Sequence, residues 1–346
     1  MAVTASIEPP GMSQQPGVVR PAASRQARPW VIFLRTVGRR LGWAIPALLV
    51  VTFLLYLLLG LSSYDPAATV AGGNATPENL KQIRHELGLD KPILARYWSW
   101  LTSALHGDLG HSIVTRKSVM GSLLDALPAT LSLVFVGLFF ASLFGLILGS
   151  LPGVFPNRWM NRTVSTFTSL TYSVPSFWAA LLLTTYFAID LRWFPALGFV
   201  SLSANPWEWF RHLVLPATAL ALSSVGALGR QLHSQLQEVL QNDYIMAARS
   251  KGLSTFSRVI KHGVRNAALP VLTVLGTRVT VLIGGTIIIE QMFLIDGIGR
   301  LAVTATLSGD IPVVLGVVVF ATIVVAVVNA VVDALYAWID PRLRTA

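Results

Sequence analysis

Residues 129–151 read ATLSLVFVGLFFASLFGLILGSL, without one Asp, Glu, Lys or Arg in the run. A helix of about 20 such residues crosses the hydrocarbon of a bilayer, because each residue advances the chain by about 1.5 Å. The same reading extends outward to 41–61, 163–189 and 311–332, which also lack all four charged residue types. Two further runs carry a weaker signal: 213–229 is short and runs on toward Leu232, and 267–289 is interrupted by one charge, Arg278. Together they predict an all-α polytopic membrane protein with six transmembrane helices. Composition agrees, since 53% of the 346 residues are hydrophobic and 12% charged, about half the charged share of a soluble protein. With no cysteine in the chain, disulfide frameworks, cysteine-ligated zinc, iron-sulfur clusters and thiol nucleophiles are excluded.

Orientation follows from where Lys and Arg lie. Sixteen of the 26 fall in 1–40, 152–162, 230–266 and 333–346, nine in the alternate loops, and Arg278 in a span. The first set is therefore expected inside, with both termini cytoplasmic. Trp159 and Trp338 then sit near the inner boundary and Trp193, Trp207 and Trp209 near the outer one, while Trp178 falls within the third span. In a membrane protein so organised, the net charge of +10 reflects loop placement and does not call for nucleic acid.

Residues 1–40, rich in Pro, Ser, Gln and Ala, read as a disordered basic tail, followed by a first span at 41–61 that stays in the mature chain because no small-residue cleavage site follows it. Within the extracytoplasmic loop 62–128, Thr76 is a helix cap and Pro77 a first helical residue, with Leu80, Ile83 and Leu87 on one face before Gly88. A second helix from Pro92 presents Ile93, Tyr97, Trp100 or Leu101, and Leu105, and stops at Gly107. This loop is either a packing cap or a gate and docking surface. The core spans 129–332 and a tail of 333–346 closes the chain.

Catalytic signatures are missing. No phosphate loop, H-E-x-x-H or G-x-S-x-G occurs, and the six histidines are scattered. The informative stretch is the cytoplasmic loop 231–266. Leu232, Leu236, Val239 and Leu240 continue the fourth span as a helical face. Asp243-Tyr244-Ile245-Met246-Ala247-Ala248-Arg249-Ser250-Lys251-Gly252-Leu253 follows, and then Arg265-Asn266-Ala267-Ala268-Leu269-Pro270. Small Ala247 and Ala248 permit close approach of a partner, and Gly252 can turn the chain where a side chain could not.

That segment resembles the EAA motif of ABC importer permeases, in the form D-Y-x-x-x-A-R-x-K-G-L…R-N-A-x-x-P of the dipeptide, oligopeptide and nickel class. Further landmarks follow in that family's order: Ala75-Thr76-Pro77-Glu78, Glu86-Leu87-Gly88-Leu89-Asp90-Lys91-Pro92, Gly107-Asp108-Leu109-Gly110-His111-Ser112, Leu127-Pro128-Ala129-Thr130-Leu131, Ser173-Val174-Pro175-Ser176-Phe177-Trp178, Gly284-Gly285 with Glu290 and Phe293, Gly297-Ile298-Gly299-Arg300-Leu301, and Asp340-Pro341-Arg342. Two positions depart from it: Met246 stands where the general motif has Glu, and Arg278 charges the fifth span.

The resemblance implies the type I importer permease fold, with one amino-terminal helix plus a five-helix core, in a bacterial inner membrane. It implies a second homologous permease, two cytoplasmic ATPase subunits carrying ATP and Mg, and an extracytoplasmic substrate-binding protein delivering a peptide. No catalytic residue and no cofactor of its own are expected for this chain. Asp243, Tyr244, Ala247, Ala248, Arg249, Lys251 and Gly252 would couple to the ATPases. Arg278, Gly284, Gly285, Glu290 and Pro175 are translocation-path or gate candidates.

Plainer readings stand beside these. The segment 247–252 could be an ordinary helix with a glycine end, Pro175 a packing kink, Asn329 a helix-to-helix hydrogen bond, and Glu290 a structural cap at the outer end where water reaches it. Arg278 and Glu290 are separated by about 120° around the helix and about 18 Å along it, so they cannot pair. A secondary, ion-coupled transporter should show broken helices or buried carboxylates in mid-membrane. A membrane enzyme should cluster catalytic groups at span ends. Nickel, haem or another solute remains open within the family.

Overall fold

The computed structural model describes residues 38, 42, 45–58, 66–72, 76–86 and 88–339. The amino-terminal tail but for Gly38, Ala75, Leu87 and the Asp340-Pro341-Arg342 motif lie outside the described residues. Those described are mainly helical, with longer irregular stretches at 106–118, which carries an isolated antiparallel bridge between His111 and Ser118, and at 191–205. Near one end lie α1 (Ile45–Leu58), α2 (Pro66–Ala71), α3 (Pro77–Glu86) and α4 (Ile93–Leu105). The remainder comprises α5 (Val119–Val154), α6 (Arg158–Ser173), α7 (Ser176–Leu183), α8 (Pro206–Val239), α9 (Asp243–Ser250), α10 (Thr255–Ser257), α11 (Arg265–Phe293), α12 (Ile298–Leu307) and α13 (Ile311–Ile339). Wider π-type turns carry α7 on to Asp190 and join α10 to α11.

Among the described residues four helices are long and apolar enough to cross a membrane, and the pair Arg158–Ser173 and Ser176–Asp190 makes a fifth if it is one span. The third span, where Pro175 reads as a packing kink, is broken there outright, the two halves meeting at 101°. Val174 and Pro175 are extended, with Pro175 at φ −63° and ψ 138°, because proline excludes the helical conformation of the residue before it and donates no N–H. The expected first span is described only as the shorter apolar helix Ile45–Leu58. The helix containing 129–151 begins earlier, at Val119, where Ser118 accepts a hydrogen bond from the Gly121 N–H at 2.9 Å. The last residues assigned to the preceding loop thus belong to α5.

The span with a weak signal, α8, is the hub of the bundle. Its apolar window is 72% buried inside the protein, against 28–39% for the other three long helices. A helix covered by protein has no need of large lipid-facing side chains, so its hydropathy is the lowest of the four. Small residues let its neighbours touch it: a Cβ on Gly145 of α5 would fall 2.7 Å from Leu228 Cβ, and one on Gly226 would fall 2.5 Å from the Thr168 carbonyl of α6. Close backbone approach through glycine is how helices pack where lipid removes the hydrophobic drive.

The two loop helices form where the caps predict. Thr76 Oγ1 accepts from the Asn79 N–H at 3.3 Å, and α4 ends at Gly107 with φ +87°. Helix α4 packs Ile93, Tyr97, Trp100 and Leu101 against Phe53 and Tyr56 of α1 and Ile311 and Leu315 of α13. Leu105, assigned to the same face, instead points outward and is exposed. Tyr97 Oη shares a 3.1 Å hydrogen bond with Thr52 and donates to the Leu49 carbonyl, fixing α4 to α1.

Candidate functional site

Helix α9 follows α8 on the surface at the end of the bundle and packs on the π-type turns between α10 and α11. Its Asp243 lies in the first turn and Arg249 in the last, matching the helix dipole at both ends. Only Ile245 is buried, and it anchors the helix. Tyr244, Met246, Ala247, Arg249 and Lys251 are exposed, while Ala248 is half-buried. The end is a Schellman turn: Leu253 N–H donates to the Ala248 carbonyl at 3.2 Å and Gly252 N–H to Arg249 at 3.0 Å, with Gly252 at φ +79°. Tyr244 Oη accepts from Asn266 Nδ2 at 3.1 Å, which ties the exposed helix to the foot of α11. The structure thus presents Tyr244, Ala247 and Arg249 on a short exposed helix whose base is held.

The opposite end is built around Glu290, and here the structure corrects the expectation of a water-exposed group. Glu290 is fully buried. Its carboxylate accepts from Thr130 Oγ1 at 2.7 Å and from the Arg300 N–H at 2.9 Å, and Thr130 Oγ1 in turn accepts from the Ile298 N–H at 2.9 Å. These N–H groups belong to the first turn of α12, which has no intrahelical partner for them. A carboxylate there meets both the free donors and the positive end of the helix. The cap reading of Glu290 is thus the one with geometry behind it. Gly297 and Gly299 are required by this contact, since a Cβ at Gly297 would lie 2.4 Å from Glu290 Cδ and one at Gly299 2.9 Å from Glu290 Oε2. Nearby, Asp310, 3% exposed, accepts from the Ser112 hydroxyl and from the Ile113 N–H, pinning the 107–112 motif to the turn between α12 and α13.

The other path candidates separate. Gly285 packs closely, its Cβ position 2.9 Å from Leu220 Cδ1, whereas Gly284 faces open space. Pro175 is the break between α6 and α7 and is exposed. Arg278 is half-buried and places its guanidinium 5.5 Å from the centre of the Tyr172 ring, where Arg230 also sits at 4.4 Å. Asn329 accepts from Thr280 at 3.4 Å, the interhelical bond expected of it. Thr130, Tyr172, Arg230 and Asp310 were not singled out from sequence. Thr130 and Gly297 stood inside recognised motifs, which was the available signal; nothing local marked Tyr172 or Arg230.

A broken helix is present at Val174 and Pro175, so that feature by itself does not separate a permease of this kind from an ion-coupled carrier. The comparisons with known proteins decide the class. The family model for the binding-protein-dependent transport system inner membrane component matches residues 141–345, and that for the N-terminal part of such membrane components matches 33–134. A Brucella abortus protein named as a peptide transport system permease is 41% identical over 306 residues, covering 88% of this chain and 98% of that protein. The glutathione transport system permease protein GsiC of Salmonella typhi is 36% identical over 311 residues, covering 90% and 99%. Among solved structures, a chain of the MetNI methionine ABC transporter in an inward-facing conformation matches with a TM-score of 0.53 at 20% identity, covering 64% of this chain and 97% of that one. The likeness to it establishes the fold, and the family match establishes the class: this chain belongs to the binding-protein-dependent transport system inner membrane components, the permease subunits of ABC importers.

Proposed function

We propose that the chain imports peptides across a bacterial inner membrane, with both termini cytoplasmic, as one of two permeases driven by two ATPase subunits and fed by an extracytoplasmic binding protein. The observation that carries this reading is α9, a helix with one buried anchor, a half-buried Ala248 and its other residues exposed, fixed at its base by Tyr244 and Asn266. Such a helix can seat in a groove of an ATPase and pass its movement to α8 and α11, between which it is strung. Nucleotide and binding protein must favour different states of the permease pair, since a ligand that binds both states equally shifts nothing. The buried Glu290 knot then holds α12 to α11 and α5 as one body at the outer face, so that the switch is a tilt of helices and not a melting of their ends. ATP and Mg belong to the partner subunits, and this chain performs no chemistry of its own. The 41% identity to a protein named for peptide transport supports the choice of substrate.

The test is co-purification and uptake. Ala247→Glu places a charged side chain on the exposed face of α9; the variant is expected to insert normally while losing bound ATPase and peptide import. Retention of both ATPases with unchanged substrate-stimulated hydrolysis refutes the coupling role. Single cysteines, introduced into a chain that has none, check the orientation: Ser103→Cys should label from outside and Ser254→Cys only from inside.

A further inference from the structure

We infer that Tyr172, Arg230 and Arg278 form a station for the carboxylate of the transported solute, an inference that rests on the importer reading above and deepens it. The three residues come from three helices, α6, α8 and α11, and meet at one aromatic ring. With guanidinium carbons 4.4 Å and 5.5 Å from the ring centre, the two arginines are at most 9.9 Å apart, the sum of those distances. One cation would suffice to staple α6 to its neighbours through the ring face. A second like charge at the same ring works against that staple, because the charges repel in a medium of reduced dielectric. Neither arginine has a carboxylate within 4.0 Å among the described residues, and the buried Nε of Arg278 has no hydrogen-bond partner there. The cluster is therefore an excess of positive charge held in position with nothing to neutralise it.

Its place in the fold says which side it faces. Arg278 lies within the apolar helix Pro270–Phe293, and Tyr172 lies two residues before the extended break at Val174 and Pro175. Tyr172 is 44% exposed, and Ser169 and Ser165, one and two turns earlier on the same side of α6, are exposed as well. A guanidinium such as that of Arg278, presented to lipid from within an apolar helix, costs several kcal/mol, whereas a water-filled passage favours it, with Arg230 at the end of the adjoining span. A hydroxyl-lined helix face ending in two arginines suits one ligand class, a solute with a free carboxylate. Guanidinium binds that group through two parallel N–H donors, which the planar fork of arginine supplies and lysine does not. The free carboxyl end of a peptide is such a group.

The test uses the complete importer and exploits the absence of cysteine. Ser173→Cys, exposed beside Tyr172, is labelled with a negatively and a positively charged methanethiosulfonate. The anionic reagent is expected to react about tenfold faster, because fixed charge in a low-dielectric passage concentrates counterions. Arg230→Gln and Arg278→Gln should each bring the two rates toward equality, Arg278→Lys should preserve the preference, and dialanine but not dialanine amide should slow the labelling. Arg230 is exposed, so its replacement keeps the test valid where the Arg278 variant fails to fold. Failure of both reagents to react, equal rates in the parent protein, a preference unmoved by the arginine variants, or equal effects of dialanine and its amide would each overturn the station. A complex that shows the anion preference yet imports no peptide would refute the substrate reading and leave the station standing.

Discussion

The two ends of the bundle solve opposite problems. At the end with α12, Glu290, Thr130 and the first N–H groups of α12 are locked together with no exposure of the carboxylate at all, and Asp310 is nearly as buried. At the end with α9, Ile245 is buried, Ala248 is half-buried and the other residues of the helix are exposed. A buried carboxylate with several donors is rigid because any displacement leaves a charge or an N–H without a partner. An exposed helix with one anchor moves or exchanges partners at little cost. The contrast gives one end rigidity and leaves the other an open surface, the one to which the proposed function assigns contact with the ATPases.

The largest effect should follow from breaking the buried end. Glu290→Ala leaves the Thr130 hydroxyl and the α12 N–H groups unsatisfied and is expected to cost about 3 kcal/mol, read as a drop in the thermal midpoint of the detergent-solubilised protein or as failure to accumulate. Gly297→Ala should come next, at about 2 kcal/mol, because its Cβ would enter the space of the Glu290 carboxylate; a Gly297→Ala variant of parental stability would show that this contact is loose.

The exposed end should respond differently. Ile245→Ala removes its anchor and should cost about 2 kcal/mol in the local stability of α9, measured as faster amide exchange over 243–250 with little change at α12. Gly252→Ala meets no neighbouring atom but must hold φ +79°, so about 1 kcal/mol is expected. Ala247→Glu should change stability by less than about 0.5 kcal/mol while ATPase binding is lost. A thermal midpoint that falls as far for Ala247→Glu as for Glu290→Ala would erase the distinction between the two ends.

Local chemistry made part of this legible. Uncharged runs announced α5 and α13, Thr76 with Pro77 announced α3, and Gly252 announced the end of α9, because capping, left-handed turns and lipid solvation each act within a few neighbouring residues. The EAA-like motif placed α9 for the same reason: its small residues and its turn follow one another within a few positions. The 101° break was half legible, since Pro175 marked a kink but not its size, which depends on how α6 and α7 each pack on α8.

What only the tertiary structure decided is whatever joins distant positions. Glu290 read as a group reached by water because its position near the end of an apolar run is all that sequence reports; its hydroxyl donor, Thr130, lies 160 residues away. Leu105 read as part of the α4 face because helical spacing cannot say where the covering helices stop. The weak signal of 213–229 belonged to the most buried helix, since hydropathy measures preference for lipid and α8 is covered by protein. Tyr172, Arg230 and Arg278 carried no shared pattern, for a cluster drawn from three helices exists only once glycines at positions such as 226 and 285 have brought those helices together.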